Sequence, residues 1–190
     1  MKKVSVIILL LQITSLGGVF SQSYFSVKKS QRYHPDSVEY LKISRKKLSS
    51  LPSLIWSFKN LKGLDISKNK LTSIPDSIAN LKDLEVLNLS KNKLLLFPKQ
   101  LFKCKKLKQL NLSSNQIGVI PEEVAQCSEL QHLDLYNNPI ADLGQGLHAL
   151  KNLVELDLRG LMMNAKKQRE IAEKMPRVRV LFDAPCNCVD

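Results

Sequence analysis

The chain has 190 residues, of which only 6% are aromatic, with a single tryptophan, so neither its core nor a ligand pocket can be built mainly from large rings. Histidine is scarcer: His34, His132 and His148 fall in unrelated stretches, and no two have the spacing of metal ligands. Of the four cysteines, Cys186 and Cys188 stand near the C-terminus as Cys-Asn-Cys, two thiolates where a closed zinc site takes four ligands. The seven glycines form no phosphate loop, and no Ser-His-Asp ordering or metalloprotease helix is present. These absences lead us to expect no enzyme, no cofactor and no metal site. Acidic residues are also short, with 17 Asp and Glu against 29 Lys and Arg, a formal net charge of +12. A chain so basic is kept soluble by its charge or is drawn to acidic partners.

No clean apolar run of the roughly 20 residues that span a membrane is present. The nearest, residues 4–20, contains Ser5, Gln12, Thr14 and Ser15 and follows Lys2 and Lys3. A basic start, an apolar centre and small residues at Val19 and Ser21 are the order of a secretory signal peptide cleaved before Gln22. The expected mature protein keeps a charge of +10 and is exported, to a periplasm, a cell surface or the medium. Export permits disulfides, and Cys104 and Cys127 lie 23 residues apart.

Twenty-three is also the period of the chain. Cut at Val38, Leu61, Leu84, Leu107, Leu130 and Leu153, it gives units in which seven places (0, 3, 5, 10, 13, 17 and 20 residues from the start) are apolar throughout the first five. Chance would produce that agreement on the order of 1 time in 10^12, so the repeat governs the fold. Leu-x-Leu points both leucines to one side of a strand. One unit cannot bury seven apolar side chains alone, so successive units must stack and share a core.

The stretches LKGLDISKNKLTSIP, LEVLNLSKNKLLLFP, LKQLNLSSNQIGVIP and LQHLDLYNNPI resemble leucine-rich repeats of the 23-residue Ile-Pro type, similar to bacterial exported members. The resemblance runs from residue 38 to about 182. It implies an α/β repeat: a right-handed solenoid with a concave parallel β-sheet and short helical or irregular convex turns. The expected organisation is a signal peptide at 1–21, an N-terminal flank or cap at 22–37, repeats at 38–163, a helix-strand cap at 164–183 and a tail at 184–190. Asn164 is placed as the N-cap of the helix, which Pro176 ends. Trp56 is expected to help cover the first unit.

Asn69, Asn92, Asn115 and Asn138 recur eight residues into their units, where the chain leaves the strand and its backbone groups need an internal donor and acceptor. Lys46 and Leu161 replace the asparagine in the end units, an interruption expected where no further coil receives the hydrogen bonds. Pro52, Pro75, Pro98 and Pro121 fix φ at the start of each convex segment. The fifth unit has Leu143-Gly144-Gln145-Gly146 instead, which predicts a looser convex side. Cys104 and Cys127 share an inward place on successive units, as apolar substitutes or as a bridge.

Function is left to the outward places. Lys42, Asp65, Asn88, Asn111, Asp134 and Asp157 form one column across the concave sheet; Ser44, Ser67, Ser90, Ser113, Tyr136 and Arg159 form a second; Tyr40, Gly63, Val86, Gln109, His132 and Glu155 form a third. A ligand hot spot is expected at His132, Asp134, Tyr136, Asp157 and Arg159, with Asn111, Asn88 and Asp65 extending it. Asp134 and Asp157 would neighbour one another on a face too shallow to raise a carboxylate pKa. Asn88 and Asn111 also lie in Asn-Leu-Ser glycosylation sequons, whose use would cover this face. Beside the columns, Arg45, Lys47, Lys68, Lys70, Lys91 and Lys93 form a basic ridge that ends at Ser114 and Gln116. Six strands give a sheet of only about 25 by 13 Å, small against the ~800 Å² per partner of an ordinary interface. The pattern therefore suggests a non-enzymatic recognition module for a protein or peptide, aided by the ridge or flanks. The alternatives are electrostatic binding of an acidic polysaccharide or lipid headgroup along the ridge, or a scaffolding role. Export argues against nucleic acid.

Overall fold

The computed structural model describes residues 25–26 and 35–186; the signal peptide expected at residues 1–21, His34 and Cys188 lie outside them. Eight short parallel strands cross one sheet in sequence order: β1 (Phe25–Ser26), β2 (Tyr40–Lys42), β3 (Gly63–Asp65), β4 (Val86–Asn88), β5 (Gln109–Asn111), β6 (His132–Asp134), β7 (Glu155–Asp157) and β8 (Arg179–Leu181). From β2 to β7 the register advances by one repeat at each step, so Leu41, Leu64, Leu87, Leu110, Leu133 and Leu156 stand side by side. The sheet is wider than the six strands expected, because β1 pairs with β2 and β8 pairs with β7. Eight strands span about 34 Å.

Because side chains alternate along a strand, the central leucine of each strand from β2 to β7 points inward and its two neighbours face the concave side. The inward places are filled as the periodicity requires: Leu61, Leu64, Ile66, Leu71, Ile78 and Leu81 are fully buried. Toward the ends the seal is less complete, with Leu48, Leu51 and Leu143 only partly covered and Trp56, in the turn of the first coil, partly buried against the core.

Each proline that ends a descending segment has φ between −60° and −74° and starts a 3-10 turn on the convex side: Ser53–Ser57, Asp76–Asn80, Lys99–Lys103 and Glu122–Gln126. The fifth turn, Gly146–Ala149, has no proline, and it packs more tightly than its neighbours rather than more loosely. A Cβ on Gly146 would stand 2.0 Å from the Glu122 carbonyl oxygen, and one on Gly144, at φ +59°, 2.5 Å from that of Ile120. The two glycines are thus the condition for close backbone approach between coils.

The asparagines form the expected internal ladder. Asn92 Nδ2 donates to the carbonyls of Ile66 (3.1 Å) and Leu89 (2.9 Å), while its Oδ1 accepts from the Leu71 N–H (3.1 Å). Asn115 and Asn138 repeat this one and two coils later. Asn69 does the same toward the first coil, through Ile43 and Leu48. All four therefore bond backward, to the preceding coil. That direction explains Lys46, which has no full coil before it, but corrects the reading of Leu161: coil five precedes it and would have received its bonds.

One residue before each ladder position the backbone turns left-handed, with φ of +54° to +58° at Arg45, Lys68, Lys91, Ser114 and Asn137, and +81° at Gly160. Each N–H of the first five there bonds the carbonyl of the next coil, such as Lys68 to Ser90 at 2.8 Å, so interstrand bonding continues past the strand itself. At the far end, helix α1 (Ala165–Lys174) begins where Asn164 Oδ1 accepts from the Lys167 N–H at 2.8 Å, and it seats Ile171 and Met175 on the core.

Asn92→Ala should lower unfolding free energy by about 3 kcal/mol or more in urea titrations, since several buried backbone groups lose their partner. Asn92→Asp should not rescue it, because a carboxylate would face two carbonyls. In the same assay, Gly146→Ala should cost about 2–3 kcal/mol by forcing coils four and five apart. Gly118→Ala, where nothing lies within 4 Å of the new Cβ, should stay within about 0.5 kcal/mol of the parent.

Candidate functional site

The first concave column has a structural reason for its oxygens. Asp65, Asn88, Asn111, Asp134 and Asp157 each accept, through Oδ1, the N–H two residues further on, at 2.9–3.1 Å. Such Asx turns bend the chain out of the strand and lead it into the left-handed residue. Asp65 is buried at 4% exposure and also holds the Lys42 ammonium at 2.9 Å. It stands three strands away from Asp134, apart from the rest of the expected hot spot. Asn88 and Asn111 are half-buried; Asn111 is further held by Ser113 Oγ, and its Nδ2 donates to Asp134, so a glycan there would break the contact.

The second column differs from its expected outward aspect. Ser67, Ser90 and Ser113 are buried, and the column reaches solvent at Ser44, Tyr136 and Arg159. Short side chains at the bend sink below their neighbours, while a phenol or guanidinium cannot.

Around Tyr136 five of the expected residues do come together. Tyr136 is 43% exposed, and the Arg159 guanidinium lies 5.8 Å from its ring centroid. Arg159 is gripped by Asp157 in two parallel bonds, Nε to Oδ1 at 3.0 Å and Nη2 to Oδ2 at 2.6 Å, which hold its proton more firmly than usual. Asp134, paired in register with Asp157, accepts from Asn111 Nδ2 at 2.8 Å. Burial pushes its carboxyl above the usual range; the Tyr136 N–H opposes this and the Asp157 charge adds to it. The concave face is therefore not too shallow to perturb a carboxylate: neighbouring coils remove enough water to outweigh the hydrogen bond. On the same strand, His132 Nδ1 is buried without a partner, as is Gln109 Oε1 across the ladder.

The ridge cations Arg45, Lys47, Lys68, Lys70, Lys91 and Lys93 are all exposed, and among the described residues none of them forms an ion pair. The opposite edge of the sheet is different. Lys62 meets Glu39 at 2.8 Å and Lys108 meets Glu85 at 2.9 Å, a row of alternating sign one place into each of the first four units. Sequence columns missed this row because only the outward strand places were compared, although the 23-residue spacing of opposite charges was readable. Leu95 and Leu96, exposed between the buried Leu94 and Phe97, are likewise absent from the sequence columns.

Cys104 and Cys127 are free and buried, and burial pushes both thiols up to about 11. Each Sγ faces a carbonyl of the preceding coil, which fits the role of small core residue. Cys186 is disulfide-bonded. Among the described residues no group of three or more His, Cys, Asp or Glu is placed to hold a metal ion.

A single parallel sheet, a 23-residue register and a ladder of buried asparagines define a leucine-lined repeat solenoid. The chain belongs to the leucine-rich repeat family: the family model described as Leucine rich repeat matches residues 36–94, 84–140 and 105–160. Among solved structures it is similar to a leucine-rich-repeat protein of Leptospira interrogans, with 31% identity over 75% of this chain and a TM-score of 0.64. It is also similar to a plant peptide hormone receptor solved in complex with RGF2, with 35% identity over 64% of this chain and a TM-score of 0.54. An internalin of Listeria monocytogenes, 20% identical over 77% of the chain with a TM-score of 0.56, shares the fold. The chain spans 35%, 19% and 42% of the lengths of these three proteins. Comparison with curated proteins finds no match.

The raised Asp134 carboxyl gives a pH signature. Its folded form holds the proton to higher pH than the unfolded chain does, so its contribution to stability is full at acidic pH, below the unfolded carboxylate range near ~3.9, and is lost as pH rises through the raised folded value. Relative to Asp134→Asn, the parent should therefore lose stability between about pH 3 and neutrality, measured as the difference between paired melting curves; a pH-independent difference would contradict the assignment.

Proposed function

We propose that this chain is an exported, non-catalytic recognition module that binds a protein or peptide segment on the concave face of its last three coils. One observation carries the reading: Tyr136 stands exposed just past strand β6, beside an Arg159 already fixed by two bonds to Asp157. Aromatic and arginine side chains dominate binding hot spots, and a guanidinium held in place before binding loses little freedom when a ligand arrives. Asp134 and His132 would offer polar contacts beside this anchor, with Asn111 and Asn88 continuing along the sheet. The similarity to a plant receptor whose structure contains a peptide hormone supports a peptide-sized ligand, as does a concave strip only a few residues wide. Export rests on the pattern of residues 1–21. No cofactor enters the reading, and the carboxylates are occupied by turns and ion pairs rather than poised on a nucleophile.

Selection of a displayed peptide library against the full chain tests the proposal. Enriched peptides should lose about tenfold or more in affinity on Tyr136→Ala or on Arg159→Ala, and should hold within about threefold on Lys68→Asn with Lys91→Asn. Peptides that bind the Tyr136→Ala and Arg159→Ala chains unchanged would overturn it. The acidic polysaccharide or lipid alternative makes the opposite forecast: dependence on the ridge, and a steep loss between low and physiological salt.

A further inference from the structure

The flank that follows the ridge has a composition of its own. Past the left-handed turn the chain alternates, so that on coils two to four places 7, 9, 11 and 12 reach solvent while 8, 10 and 13 are buried. On coil three those outward residues are Lys91, Lys93, Leu95 and Leu96, with Leu95 and Leu96 58% and 78% exposed. Coil one presents Arg45 and Lys47 there, coil two Lys68 and Lys70, and coil four the exposed Val119. No carboxylate occupies these places on coils one to four; Asp142 on coil five is the first. Behind the leucines an open groove of about 720 Å³ crosses coils two to four, lined by Ile74, Leu94, Leu95, Leu96, Phe97 and Val119 among others. Exposed cations that form no ion pair among the described residues therefore share one flank with an apolar groove, which they do not line, on a surface separate from the Tyr136 cluster.

We infer that this flank is a second docking surface, whose occupant is a short acidic segment of another protein carrying one or two leucine-sized side chains between carboxylates. Charge complementarity sets the sign of the partner: among the described residues the six cations form no ion pair, whereas Lys62 and Lys108 of the opposite edge are paired. They would also repel a second copy of this chain. Size sets its form. Three coils and five residues of chain cover about 10 by 16 Å, room for a few residues of one linear segment rather than for an ordinary interface of ~800 Å² per partner. The concavity of the groove favours side chains entering it over a flat lipid surface. Affinity for so small a patch is expected on the order of 10–100 µM.

The test uses the full chain and a synthetic peptide with two adjacent leucines flanked by Asp and Glu, labelled for fluorescence anisotropy. Two controls are the same peptide with its acids changed to amides and one with its leucines changed to serine; vesicles containing phosphatidylserine form a separate arm. The variants copy residues that the chain itself places at equivalent positions, which preserves the turns: Lys68→Asn and Lys91→Asn after Asn137, Lys70→Gln and Lys93→Gln after Gln116, Leu95→Thr and Leu96→Ser after Thr72 and Ser73. The acidic leucine peptide should bind, and each control peptide should bind about tenfold more weakly or worse. The lysine set and the leucine set should each cost about tenfold, with Tyr136→Ala and Arg159→Ala leaving this binding unchanged. Failure of the peptide to bind below about millimolar, equal binding of either control, insensitivity to either set of variants, or vesicle binding that the peptide does not displace would overturn the inference.

Discussion

From coil two to coil five, each coil of this solenoid sends one buried carboxamide into the coil before it. When the chain leaves its strand it exposes backbone donors and acceptors to the interior, where water is absent and an unmade hydrogen bond costs about 1–3 kcal/mol. Asparagine is the compact neutral side chain that supplies both an acceptor and two N–H donors there. Its neighbours follow from this requirement. The Asx turn at the strand end bends the chain, the left-handed residue completes the reversal, and the carboxamide arrives beside the Ile and Leu carbonyls of two coils.

That arrangement divides the residues sharply between committed and free. In Ser-Lys-Asn-Lys the serine is buried, the first lysine occupies the left-handed turn, the asparagine is internal, and only the lysine side chains reach solvent. The acidic and amide column also proves to be largely part of the turn. Of the concave columns and the ridge beside them, the Tyr136 cluster on the late coils and the basic flank on the early ones keep side chains free for contact.

The fold was legible because its signals repeat. A leucine every 23 residues, with an asparagine at a fixed offset, leaves one way to stack the units. The candidate site was less legible. Strand alternation placed Ser67, Ser90 and Ser113 at the surface, but it cannot report how a bend buries a small side chain. Composition suggested that Gly144 and Gly146 loosen their turn, whereas their missing Cβ atoms allow coils four and five to touch. Asp134 looked exposed because burial by side chains of adjacent coils cannot be read from one strand. His132, Asp134, Tyr136, Asp157 and Arg159 could be grouped beforehand because one repeat of spacing places them on neighbouring strands.

The asparagines bond backward, never forward, and this gives the stack an arrow. A coil already made offers unsatisfied groups at its C-terminal side, and the next coil to emerge carries the side chain that closes them. Assembly can thus proceed in the order of synthesis, each new turn of chain completing its predecessor as it leaves the ribosome. Coil six, with Leu161 in that place, returns no carboxamide to coil five. The growing end is instead finished by α1, which seals the core with Ile171 and Met175 and halts the series.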